Sequence, residues 1–206
     1  MSAIQGSEAW LAERLGKVTA SRMDDLMART KSGYGAGRSN YMAQLIAERL
    51  TGKVAESYTN AAMVWGTENE PAARAAYEFV TDQEVIEIGF IQHQVINDSG
   101  ASPDGLVGAD GLVEIKCPNT ATHIETLLTR SIPGKYQKQM LWQMACTGRL
   151  WCDFVSFDPR MPEHLRIFVQ RMAYDAKEVQ RMELEVTEFL AEMNDKIDRL
   201  GEIGKT

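Results

Sequence analysis

Cysteine, histidine and long apolar runs are all scarce in this 206-residue chain. Its three cysteines, Cys117, Cys146 and Cys152, are odd in number and not closely paired, which argues against a disulfide framework. With no CxxC spacing, a structural zinc or an iron–sulfur cluster is not expected either, and the thiols read as small buried hydrophobes. No apolar stretch approaches the roughly 20 residues of a membrane span. The segment Met1 to Trp10 lacks the basic start and apolar core of a secretory signal, so the expected setting is the cytosol. No GxxxxGK[ST] segment occurs, which leaves no phosphate loop for a nucleotide.

Basic charge is also short: 22 Lys and Arg stand against 29 Asp and Glu, a net charge of −7. That balance alone argues against a nucleic-acid binder. The charge is uneven, however. From Arg14 to Arg38 there are six basic residues and two acidic ones, whereas Asp175 to Leu200 holds eight acidic and four basic. A channel needs only local positive potential, so the acidic total does not exclude DNA.

The length suits one domain over residues 1–206, with a helical N-terminal part to about residue 80 and a long helix over about 175–200. Ser7 is placed to cap a short helix, and Thr19 or Ser21 a second one that turns Met23, Leu26 and Met27 inward. Thr30 to Ser39, with three glycines, predicts a mobile loop. Met42, Leu45, Ile46 and Leu50 share a helical spacing over Tyr41 to Leu50, ended by Gly52, and a further helix spans about Ala61 to Val80. Val85 to Gln94, Val95 to Ser102 and Gly111 to Lys116 read as strands. Helices near Thr120 to Arg130 and Lys135 to Cys146 follow, then strands over Leu150 to Phe157 and Leu165 to Met172. In the last helix Val179, Met182, Val186, Phe189, Met193, Ile197 and Leu200 form one apolar stripe, for the domain's own core or for a subunit contact. Trp65 and Trp142 read as core. The order predicts an α/β fold with a mixed central β-sheet flanked by helices.

The chemistry concentrates in SPDGLVGADGLVEIKCP, Ser102 to Pro118. Asp104 is expected to end one strand. Glu114 and Lys116 stand two apart on the next, so they share a face while Ile115 points away. A hairpin would bring Asp104 beside Glu114. A Glu-x-Lys pair on a strand is usually a solvated ion pair, but here two charges sit on an apolar strand next to a third. Two adjacent carboxylates suit a hard cation, Mg²⁺ or Mn²⁺, with Lys116 placed to hold a water or neutralise developing charge.

This text resembles the PD-(D/E)XK nuclease signature, as Pro103-Asp104 and Glu114-Ile115-Lys116. More narrowly, the chain resembles the λ-exonuclease family, the YqaJ-type viral recombinases. The matching segments are Arg14-Leu15-Gly16 with Val18-Thr19-Ala20-Ser21, Trp65-Gly66-Thr67-Glu68-Asn69-Glu70 as a helix start, the two catalytic segments, Tyr136-Gln137-Lys138-Gln139, and Phe157-Asp158-Pro159-Arg160-Met161. The resemblance implies a restriction-endonuclease-like fold. It also implies a metal-dependent 5′→3′ exonuclease that works without ATP on linear double-stranded DNA, releases mononucleotides and leaves a 3′ overhang. Asp104, Glu114 and the Ile115 carbonyl would hold Mg²⁺ (or Mn²⁺), with Glu70 binding or orienting the metal or its water. Lys116 would activate the water, supported by Gln139 with Tyr136 beside it. Arg14, Ser21 and Lys31 would grip the 5′-phosphate; Lys31 stands where a known member has arginine, and lysine binds phosphate as a point charge. A homotrimeric ring, a single-strand annealing protein as partner, and a phage or prophage setting in a bacterial cytoplasm are implied too. His93 and His164 fit surface or hydrogen-bonded roles, as does His123, which lies close enough after Pro118 to approach DNA. An endonuclease or RecB-like member of the superfamily, a catalytically silent DNA-end binder and a plain structural domain remain as alternatives.

Overall fold

The computed structural model describes residues 3–31, 33–55 and 61–203. In chain order the described elements are α1 (Glu8–Arg14), β1 (Val18–Thr19), α2 (Met23–Leu26), β2 (Arg29–Thr30), β3 (Gly33–Tyr34), α3 (Ala36–Thr51), α4 (Ala61–Thr81), β4 (Val85–Ile86), β5 (Ile91–Gln92), β6 (Ser99–Ala101), β7 (Gly105–Val107), β8 (Gly111–Lys116), α5 (Thr120–Thr129), α6 (Gly134–Thr147), β9 (Trp151–Phe157), β10 (Ile167–Ala173) and α7 (Ala176–Glu202). The central sheet is mixed, in the order β10-β9-β8-β7-β4: β8 runs parallel to β9, and the other neighbours are antiparallel. A smaller sheet, β1-β6-β5, joins the N-terminal segment to the middle of the chain.

Alternation along β8 and β9 divides the core between the two faces of the central sheet. Leu112, Cys152 and Phe154 belong to a cluster with Met23, Leu26, Leu45, Met140, Trp142 and Phe189 from α2, α3, α6 and α7. Val113, Ile115, Val155 and Phe157 belong to a second cluster with Ala73 and Tyr77 of α4. The catalytic-strand candidates Glu114 and Lys116 therefore face α6, and Ile115 faces α4. The α7 stripe packs on the domain's own core: Val179, Met182, Val186, Phe189 and Met193 are buried there. Each such side chain contributes roughly 1.5–3 kcal/mol. Leu200, at the end of the stripe, is exposed.

Several expectations need correction. Where a loop is expected over Thr30 to Ser39, the described residues form an antiparallel pair, β2–β3, followed by the first turn of α3; Ser32 lies outside the described residues. Gly35 and Gly37 serve close approach, since a Cβ on them would stand 3.2 Å from Ala28 Cβ and 3.1 Å from Asp25 Oδ1 respectively, whereas Gly33 has open space and a φ of +135°. Ser7 caps α1 by accepting from the Trp10 amide, but neither Thr19 nor Ser21 caps α2, which is preceded by a 3-10 turn over Ala20–Arg22. Leu50 points outward. The two long strands over 85–102 are three short ones, and Val95 lies exposed in the bend between β5 and β6. Those β-branched residues supply propensity without a partner strand to satisfy.

Gly111 faces Trp151 across the β8–β9 pair, and a Cβ there would sit 2.0 Å from the indole. The β7–β8 turn is held from outside by Arg149, whose Nη1 donates to the carbonyls of Val107, Gly108 and Gly111 at 2.7–3.3 Å. The three cysteines are buried and free. Among the described residues, no helix is long and apolar enough to cross a membrane.

Candidate active site

The β7–β8 hairpin pairs Gly105 with Val113, which sets the preceding residue, Asp104, against the next, Glu114. Asp104 thus precedes β7 in a bend and does not end a strand. Its Oδ2 accepts from the Ile115 amide at 2.6 Å. Glu114 is fully buried and carries three donors: Gln139 Nε2 on Oε1 and Gln143 Nε2 on Oε2, both at 2.6 Å, and the Lys116 ammonium on Oε1. Lys116 also lies 5.4 Å from the ring centre of Tyr136, which stacks on Phe154. A cavity of about 510 Å³ opens over this point, lined by Glu70, Asp104, Ile115, Lys116 and Tyr136 among others.

Burial raises the Asp104 pKa well above the usual carboxylate range, and the Glu114 charge pushes the same way against Lys116. For Lys116, burial pulls downward, but Glu114 and Asp104 outweigh it and hold the ammonium pKa above its ordinary value. Cys117 beside the site is pushed up to about 12, by burial first and then by Glu70 and Asp104, so its thiol stays protonated. The Asp104 and Glu114 carboxylates are thus crowded, with one ammonium between them. A divalent cation fits this deficit, and the donors on offer are hard oxygens: Asp104, Glu114, the Ile115 carbonyl and Glu70. Among the described residues no group of three or more His, Cys, Asp or Glu side chains forms a ready-made cage. Mg²⁺ does not need one, since it takes one or two carboxylates and keeps its waters.

Glu70 sits in the middle of α4, not in its first turn, because Ala61 to Trp65 already belong to the helix. Its carboxylate is aimed by Arg74, one turn on, at 2.9 Å, and Arg74 also reaches Glu87 at 2.5 Å. Trp65 is partly buried against the second core cluster, with the Arg160 guanidinium 4.2 Å over its ring.

Arg14 and Ser21 line a second cavity, of about 310 Å³, which shares Met63 with the first. Arg14 stacks on Trp10 at 3.8 Å. Burial lowers its pKa, opposed by Tyr41 and Glu48, and no carboxylate among the described residues lies within ion-pair distance. A partly buried guanidinium that faces Glu48 across the cavity without an ion-pair contact keeps its donors free for an anion. Lys17 and Arg22 line the same cavity, although Arg22 is engaged by Asp25 and Gln44. Lys31 is not brought there: it is exposed after β2 and lines neither cavity.

Sequence reasoning missed Gln143 and Lys17. The signal for Gln143 was an amide one turn after Gln139 on an otherwise apolar helix face. His123 is fully buried between Ser156 Oγ and the Leu165 carbonyl, 2.8 Å each, and so does not reach a bound polymer. His93 is buried too, stacked on Trp142 with Nδ1 accepting from the Val95 and Ile96 amides.

Asp158 closes the end of β9 near the site. It is buried, and although burial pushes upward, hydrogen bonds from Arg160 and Thr120 hold its pKa at about 2. A folded pKa below the unfolded value stabilises above about pH 4, and that contribution is lost as pH falls toward 2. With half-exposed Arg160 screened by solvent, Asp158→Asn is expected to cost about 1–2 kcal/mol at neutral pH. Urea titrations of both proteins from pH 7 to pH 3 should show this gap shrinking as the pH drops; a constant gap would reject the carboxylate's role.

A family model, the YqaJ-like viral recombinase domain, matches residues 9–150. The chain is 53% identical to an alkaline exonuclease (LHK-Exo) from Laribacter hongkongensis, with a TM-score of 0.89 over 95% of this chain and 97% of that one. The same alkaline exonuclease in complex with dAMP matches at 53% identity and a TM-score of 0.90, with the same coverage. A phage related exonuclease from Haemophilus somnus 129PT shares the fold, with a TM-score of 0.74 at 14% identity over 89% of this chain and 96% of that one. No curated protein matches the chain. The sheet flanked by helices is the PD-(D/E)XK-like fold of these exonucleases.

Proposed function

From the chain's membership of the YqaJ-like viral recombinase family, we propose that it is a metal-dependent exonuclease that digests one strand of linear double-stranded DNA from the 5′ end. It releases mononucleotides and leaves a 3′ overhang. The observation that carries this reading is the meeting of Asp104 and Lys116 at one cavity, with the buried Glu114 carboxylate paired to Lys116 behind it, and a second cavity holding Arg14 that borders the first at Met63. The dAMP bound to the alkaline exonuclease is a mononucleotide, the product class such digestion yields.

Asp104, Glu114 and the Ile115 carbonyl would hold Mg²⁺, or Mn²⁺, with Glu70 orienting from α4. The bound cation supplies a polarised phosphate and a water of lowered pKa. Lys116 would orient an attacking water beside the scissile phosphate and offset charge as the bond breaks. Gln139 keeps the Glu114 carboxylate in place, and Tyr136 walls the cavity beside Lys116. Arg14 and Ser21 hold the terminal 5′-phosphate, which sets the polarity. Lys31 takes part only by reaching DNA from outside the Arg14 cavity. No ATP enters the cycle.

The reading extends to assembly and setting. Three copies close a ring around the duplex, and the overhang passes to a single-strand annealing protein during phage recombination in a bacterial cytoplasm. The carrying test is digestion of linear duplexes labelled at one 5′ or one 3′ end, beside a covalently closed circle, with Mg²⁺. Early loss of the 5′ label as mononucleotide, with the 3′ label and the circle intact, is the expected result. A cut circle would replace this reading with an endonuclease, and no digestion with any divalent metal would leave a silent end binder.

A further inference from the structure

Gln139 and Gln143 stand one turn apart on α6, so both amides reach the sheet on the same side. They divide the Glu114 carboxylate between them. Gln139 holds Oε1, which Lys116 also contacts, whereas Gln143 is the donor on Oε2. Glu114 and Gln143 are both fully buried. A carboxylate only accepts hydrogen bonds, so the Gln143 amide must turn its NH₂ toward Glu114. Its own carbonyl oxygen is then left without a partner among the described residues.

That orphan bears on the purpose of the residue. One hydrogen bond is made and one buried acceptor is wasted, so Gln143 contributes little net stability. We propose that Gln143 is a positioning residue: it locks the plane of the Glu114 carboxylate so that a free lone pair points at the cation. With a donor on one oxygen only, the group could rotate about its last bond; with one on each oxygen it cannot. The outer-shell partners of metal ligands act in this way, and their loss costs about 10- to 100-fold in affinity. The proposal rests on the reading that Glu114 is a metal ligand.

The test is calorimetric titration of the full chain with Mn²⁺ alone, without DNA, together with a thermal melt in EDTA. Gln143→Met keeps the volume and removes the donor. It should bind Mn²⁺ at least tenfold more weakly while melting within a few degrees of wild type. Gln143→Asn keeps the amide but falls short of Oε2, and the same loss is expected. Wild-type Mn²⁺ affinity in either folded variant overturns the proposal, as does failure of both variants to fold in EDTA, which would make the amide a structural support. If the unsubstituted chain itself binds no Mn²⁺, the metal reading has failed, and the Gln143 proposal goes with it.

Discussion

Glu114→Gln is expected to lower duplex digestion about 10³-fold, since losing the charge that anchors the cation forfeits several kcal/mol of barrier reduction at 1.36 kcal/mol per factor of ten. The substitution is nearly isosteric, so the argument rests on charge and donor count. Glu114 receives hydrogen bonds from Gln139, Gln143 and Lys116, and of these the Lys116 ammonium has no acceptor to offer in return. A glutamine there turns its NH₂ toward one of these groups, and a flip of the facing Gln139 or Gln143 amide gives it an acceptor, so the fold is kept while the charge is lost. Lys116 would keep Asp104 as a counter-charge, so the strand need not unfold. Binding of linear duplex DNA in EDTA should be retained, because the Arg14 cavity is untouched. Single-turnover release of end label and a filter-binding assay, run on the same preparation, separate the two effects. Digestion above a tenth of the wild-type rate would remove Glu114 from the catalytic centre.

The second large effect belongs to Arg14. A charge-assisted hydrogen bond to phosphate is worth about 1.5–3 kcal/mol, or roughly 10- to 100-fold in preference. Arg14 is already partly desolvated and stacked on Trp10, so part of the ordering cost has been met before DNA arrives. The unsubstituted chain should therefore favour 5′-phosphorylated over 5′-hydroxyl ends, and Arg14→Ala should collapse that ratio toward one. Arg14→Lys should restore only part of it, because an ammonium lacks the planar fork. An unchanged ratio in Arg14→Ala would move the phosphate grip elsewhere, with Lys17 of the same cavity the next candidate.

The parts of this molecule that could be read from its residues are those where one period governs a whole element. β8 was legible to both ends, because Leu112, Glu114 and Lys116 against Val113 and Ile115 obey a period of two. The α7 stripe obeys the helical period over more than five turns, although nothing in the pattern said which surface it would cover. Where tertiary pairing decides, the reading failed. Val95 and Ile96 look like strand residues, yet only Ser99–Ala101 find partners in β1 and β5. Gly35 and Gly37 look like loop residues, yet they let α3 pack closely on Ala28 and Asp25. At the site, the acidic and basic residues announce themselves by charge. Gln143 is a neutral amide whose meaning lies wholly in the buried carboxylate opposite, which only the fold reveals.

The pairing of β1 with β6 has a consequence for how the protein is made. Val18 lies parallel to Ser99, and the Ser99 hydroxyl donates to the Val18 carbonyl from 81 positions along the chain. A ribosome delivers the N-terminal segment first, with Arg14, Lys17 and Ser21 in it. Their cavity has no strand to dock on until residue 101 has cleared the exit tunnel, and closing so long a loop carries an entropic cost that short-range contacts do not repay. The segment proposed to hold the DNA end is thus synthesised first yet organised only after the chain has been made nearly to Asp104, so a truncated product of synthesis would carry the basic segment without its cavity.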